Sequence, residues 1–132
     1  MTMPAYFGRI EEQTMENENF RQVMFTGKHL QLVVMCLKPG EEIGNEVHEN
    51  VDQFFRVEEG QGKFVLNNSE EHLVHANEAA VIPAGTWHNV INVSKIRRLK
   101  LYTIYSPPNH PEGTIHKDKV EADAAEAHEH LR

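Results

Sequence analysis

The chain has one cysteine and one tryptophan among its 132 residues. Cys36 has no second cysteine with which to close an intrachain disulfide, so stability must come from packing, and a reducing, cytoplasmic setting is expected. Basic residues are also few, with 13 Lys and Arg against 20 Asp and Glu, for a formal charge of −7. A field of that sign repels phosphate backbones and anionic lipid, which argues against nucleic acid and membrane surfaces as partners. No stretch approaches the roughly 20 apolar residues that cross a bilayer. Met1 to Phe20 lacks the apolar centre of a secretion signal and carries Glu11, Glu12, Glu16 and Glu18 instead. What remains is globular composition, 39% hydrophobic and 25% charged, at a length that fits one domain. The nine histidines are the unusual count, and they direct attention to metal chemistry or proton transfer.

Three segments are expected: a polar N-terminal arm over 1–19, a β domain over 20–106, and a strap and tail over 107–132. From Phe20 onward the apolar runs are short and are separated by turn residues, the pattern of an all-β chain. The expected strands are Phe20 to Thr26, Leu30 to Leu37, a stretch near Glu46 to His48, Gln53 to Glu58, Lys63 to Leu66, His72 to His75, Ala79 to Ile82, His88 to Asn92 and Arg98 to Tyr105. In the last of these, Leu99, Leu101, Thr103 and Tyr105 share one face, so the strand is half buried. Leu30 to Leu37 does not alternate, which implies cover on both faces, from a second subunit in a homodimer. The Ala-Glu-rich tail from Lys117 has helical propensity with few apolar anchors, and reads as a short helix or as disorder in which His128 and His130 are solvated.

Two stretches carry chemistry. The first runs from Pro39 through Gly40, Glu46 and His48 to Gln53 and Gly60; in an extended strand Glu46 and His48 share a face, as a chelating pair requires. The second, Pro83-Ala84-Gly85-Thr86-Trp87-His88 with Asn92 beyond it, is a turn that delivers His88 at the start of a strand. His29, His72 and His75 lie on strands without a matching partner and read as surface residues. Lys95, Arg97, Arg98 and Lys100 read either as a solvated face or as an anion-binding patch.

These two stretches resemble the paired motifs of the small single-domain cupins, whose fold is a double-stranded β-helix, a jelly-roll barrel. Gly40, Glu46, His48, Gln53 and Gly60 fit the register of the first cupin motif. Pro83, Gly85, His88 and Asn92 fit the second, with Asn77 where its first glycine would stand. The resemblance implies a site for one divalent transition metal, Zn, Mn, Fe, Ni or Co, held by Glu46, His48, Gln53 and His88. The family more often has three His and one Glu at these positions. Asp52 also falls within the permitted spacing; Gln53 is preferred because its distance to Gly60 matches the motif and because Gln53, Phe55 and Val57 share a face. The alternative is a remnant without metal, in which His48 and His88 satisfy one another.

Phe55, Trp87 and Tyr105 are expected either to line the barrel mouth as a substrate pocket or to belong to the core. The Pro-rich stretch containing His110 and His116 reads either as a strap able to cross that mouth and supply His116 or His110 for proton transfer, or as plain surface packing; His116 and Glu46 are the candidate catalytic groups. Small cupins of this kind are often labelled mannose-6-phosphate isomerase-like, which implies a metal-dependent isomerase acting on a sugar-like or enolisable small molecule. An Fe(II)-dependent dioxygenase and a non-catalytic small-molecule binding module are the alternatives.

Overall fold

Along Asp52–Glu59 every second side chain is turned inward, so that Gln53, Phe55 and Val57 are buried while their neighbours are not. The same period of two buries Leu99, Leu101, Thr103 and Tyr105 in Leu99–Ser106. These strands belong to a computed structural model that describes the backbone of residues 4–130 and the side chains of residues 4–127. The elements in chain order are α1 (Ile10–Glu16), β1 (Arg21–Thr26), β2 (Gln31–Leu37), β3 (Asp52–Glu59), β4 (Gln61–Leu66), β5 (Glu70–His75), β6 (Ala79–Ile82), β7 (His88–Asn92), β8 (Leu99–Ser106), β9 (Ile115–His116) and α2 (Lys119–His130).

One sheet runs β6-β3-β8-β2-β1-β9 and the other β5-β4-β7, with antiparallel pairing throughout. Side chains from both sheets, among them Met35, Leu37, Phe55, Phe64, Val90 and Leu101, form one core between them. The fold is thus a β-sandwich closed into a double-stranded β-helix, with a helix at its C-terminal end. Residues with positive φ shape the turns, Gly60 and Asn77 among them. Gly60 (φ +83) sits where a Cβ would lie 2.6 Å from the Arg98 carbonyl oxygen. Asn77 (φ 71) takes a left-handed conformation where the family motif has glycine, one of the few side chains that tolerates it.

The stretch near Glu46 to His48 is not a strand. It meets β7 through a single bridge, in which the Glu46 and His88 backbones exchange two 2.8 Å N–H···O bonds. Pro39 and the positive φ of Gly40 and Gly44 keep a longer ladder from forming.

Strand β2 is buried along its whole length, but the cover comes from this chain itself. Val33, Met35 and Leu37 face the core, and α1 packs against β2, β3 and β8. Residues 10–16, expected as part of a polar arm, are therefore helical. Their sequence shows no apolar period of 3.6, and the residue the helix buries fully is the polar Thr14. Lys100 Nζ donates to the Met15 carbonyl, and Arg98 pairs with Glu18 at 2.9 Å. Two of the four charges read as a solvated face or anion patch thus fasten the N-terminal segment. The tail is helical and docked: Ala122 is buried, and Lys119 Nζ donates to the Ile43 carbonyl at 2.9 Å. The side chains of His128 and His130 lie outside the described residues.

Candidate metal centre

The Glu46–His88 bridge sets the site, because it holds the segment bearing Glu46 and His48 beside the first residue of β7. A carboxylate oxygen of Glu46 and one ring nitrogen each from His48 and His88 lie within 4.8 Å of one another. The two imidazoles are tilted, their centroids 5.5 Å apart. Gln53 enters from β3, buried, with Oε1 3.2 Å from His88 Nε2. Asp52, the neighbour with the alternative spacing, points outward and accepts the Ala84 N–H at 2.8 Å.

Proton inventory shows what these atoms can do. The Thr103 hydroxyl donates to the Phe54 carbonyl, so it accepts from the Gln53 amide at 2.9 Å, which turns Gln53 Oε1 towards His88. His88 Nδ1–H donates to the Thr86 carbonyl at 3.0 Å. Burial lowers the His88 pKa, so the ring is held neutral and Nε2 carries a lone pair. Two acceptors therefore confront each other across 3.2 Å. Nearby, His48 Nε2 is buried with no hydrogen-bond partner among the described residues. Burial, with His88 and Arg21 close by, pushes the His48 pKa down to about 4, so it too is neutral at pH 7. Burial raises the Glu46 carboxyl to about 7, against a smaller pull downward from Arg21. Glu46, His48 and His88 form a cluster that could hold a divalent first-row cation, with the Gln53 amide oxygen beside it and His48 Nε2 left unpartnered among the described residues. The Thr86 carbonyl on His88 Nδ1 is the outer contact that fixes the tautomer such a ligand needs.

A cavity of about 330 Å³ opens over Glu46 and His48. Trp87 lines it and is 44% exposed. Phe55 does not line it; this ring is fully buried between Phe64 and His88, as the inward phase of β3 dictates. Tyr105 is buried beneath the cavity, edge-on to His48 and His110, with its hydroxyl 3.2 Å from His110 Nε2. Asn109, His110 and His116 of the strap line the cavity. Gln31, fully buried on β2, holds the strap there: Oε1 accepts the N–H groups of Asn109 and His110 at 3.0 and 2.9 Å, and Nε2 donates to the His110 carbonyl at 2.8 Å. His29, His72 and His75 are exposed and lie away from the cavity.

The lining residues that the sequence did not single out include Arg21, Asn109 and Glu126. Arg21 had a usable signal, because it shares the inward phase of β1 with Val23. Asn109 and Glu126 had none, since their positions depend on where the strap and α2 dock.

Relatives agree with the architecture. The uncharacterized protein YrkC of Bacillus subtilis is 51% identical over 122 residues, and the uncharacterized protein L612 of Acanthamoeba polyphaga mimivirus is 45% identical over 113. These alignments cover 89% and 84% of this chain, which spans 65% of the length of the first relative and 71% of the second. The crystal structure of BH2720 from Bacillus halodurans superposes with a TM-score of 0.88 at 46% identity, covering 92% of this chain and 95% of that one. Residues 33–105, the span that carries both motifs, match the cupin domain model. The chain belongs to the cupin domain family.

Proposed function

We propose that this cupin binds one divalent transition metal through Glu46, His48, Gln53 and His88, and acts as a small isomerase-like metalloenzyme on a sugar-like or enolisable oxygenated molecule. The observation that carries the reading is the buried, unpartnered His48 Nε2 beside the acceptor-to-acceptor contact of Gln53 and His88. Bound there, a divalent ion supplies Lewis acidity towards a carbonyl or hydroxyl oxygen. The protein supplies the rest. The cavity walls, with Arg21, Asn109 and the two strap histidines, are polar enough to orient an oxygen-rich ligand, and the volume suits a small one. His116 is the wall group assigned to proton movement. Its Nδ1 faces Arg21 Nη1 at 3.1 Å, and because a guanidinium only donates, the proton of a neutral His116 sits on Nε2. Glu46, with a carboxyl that titrates near neutrality, is the second group able to carry a proton.

A cytoplasmic homodimer is the proposed working form. Its support is the exposed apolar side chains Leu73 on β5 and Val81 on β6, two strands at open sheet edges. A monomeric mass by light scattering at micromolar concentration would remove the dimer. Among the described residues no helix is long and apolar enough to cross a membrane.

Metal content measured by mass spectrometry on protein purified without a nickel column, with His48→Ala alongside, tests the metal. Near-stoichiometric zinc or manganese that is lost in the variant supports the isomerase-like reading, and proton exchange at carbon in deuterated water across a panel of sugars then tests turnover. Iron would move the chemistry to dioxygen. A site that takes no divalent ion would leave a binding module.

A further inference from the structure

Arg21 is the one charged side chain of the cavity wall that is more than nine-tenths buried, at 6% exposure. Buried guanidinium groups are normally paired with a carboxylate, because an uncompensated charge in a low-dielectric interior is costly. Among the described residues Arg21 makes no such pair. Its partners are neutral: Nη1 donates to His116 Nδ1 at 3.1 Å, and the guanidinium carbon lies 5.3 Å from the centre of the Phe20 ring. Its Nε is buried with no acceptor among the described residues. Arg21 lines the same cavity as Glu46, His48 and His110. The other charged wall groups are Glu46, which belongs to the metal set, and Glu126 of α2.

We infer that Arg21 is the carboxylate-binding residue of this cavity, and that the ligand is a small hydroxy or keto acid whose acid group sits on the guanidinium while its other oxygens face Glu46, His48 and His88. This rests on the proposed function for the second half of the ligand, and on Arg21 alone for the first. A carboxylate suits the position because the planar guanidinium offers parallel N–H donors to two oxygens, and with Nη1 engaged by His116 the Nε edge is the one to be filled. The inference narrows the substrate class from sugar-like or enolisable molecules in general to acids.

The test uses ¹⁵N-labelled protein, as isolated and again after treatment with EDTA, titrated with glycolate, with inorganic phosphate and with ethylene glycol as the neutral control. The Arg21 Nε–H resonance is identified by its disappearance in Arg21→Lys. Glycolate is expected to shift that resonance saturably in both preparations, and ethylene glycol is not. Arg21→Lys is expected to weaken glycolate binding by about tenfold or more while metal content stays at the wild-type level. The wild-type titration decides the matter even if the variant folds poorly. An Arg21 signal that glycolate leaves unmoved overturns the inference, and so does one that moves with phosphate alone. If metal proves absent while glycolate still shifts Arg21, the acid site stands and the metal reading falls. If metal is present and Arg21 is silent, the acid site falls by itself.

Discussion

Gln53 Oε1 and His88 Nε2 face one another across 3.2 Å as two lone-pair atoms, each fixed in that orientation by a bond on its far side. Like-polarity contacts of this kind are unfavourable unless a cation lies between them or beside them. Gln53→Leu is therefore expected to weaken divalent metal affinity by roughly tenfold, and His48→Ala or His88→Ala to abolish stoichiometric loading. Competition with a chromophoric chelator measures this. Full occupancy in either histidine variant would remove that residue from the ligand set.

Glu46 predicts a pH effect of definite sign. Its folded-state carboxyl lies near 7, above the unfolded value of 4.5, so metal-free protein binds the extra proton between those limits and loses stability as pH rises through 7. His48 acts in the opposite sense: with its folded pKa near 4 against 6.5 unfolded, stability falls as pH drops from 6.5 towards 4. The two trends oppose one another, which is why the variant separates them. Glu46→Gln is expected to raise the stability of the metal-free protein at pH 8 by on the order of 1–2 kcal/mol, roughly 3–8 °C in Tm, and to change little at pH 5. With metal present the order at pH 8 should reverse. Thermal unfolding in EDTA and in added metal reads both.

Gln31 has no contact with the proposed ligands, yet it secures the strap that bears His110. Replacing it with alanine strips the part-buried Asn109 and His110 N–H groups of their acceptor and removes a fully buried side chain, at a cost of about 1–3 kcal/mol. Urea unfolding measures the loss. Amide exchange should quicken at Asn109 and His110 first, while β3 and β4 keep their protection.

Gly60 is a purely structural position. An alanine there meets the Arg98 carbonyl oxygen at 2.6 Å on a backbone with φ +83, and backbone cannot yield as a side chain would. Gly60→Ala is expected to cost roughly 2–4 kcal/mol with an unchanged metal stoichiometry per folded molecule, measured by calorimetry and mass spectrometry together.

Much of the barrel was legible because inward strands repeat with a period of two, and Gln53-Phe55-Val57 and Leu99-Leu101-Thr103-Tyr105 display it directly. Helix α1 was not, because IEEQTME lacks an apolar stripe and its place depends on packing against β2, β3 and β8, far along the chain for two of the three. Phe55 was ambiguous for a related reason. A strand register shows that a ring faces in, but whether it meets cavity or core depends on what the opposite sheet places against it, here Phe64.

By itself, then, the sequence determined the strand faces, the positive-φ turns and the two motif segments, all of which follow from short-range sterics and periodicity. Tertiary structure alone decided that Glu46 and His48 meet His88 through a single bridge, and that Arg21 is buried without a carboxylate partner among the described residues. Those outcomes depend on pairing between residues many positions apart, and on which lone pairs and charges the closed barrel leaves uncompensated.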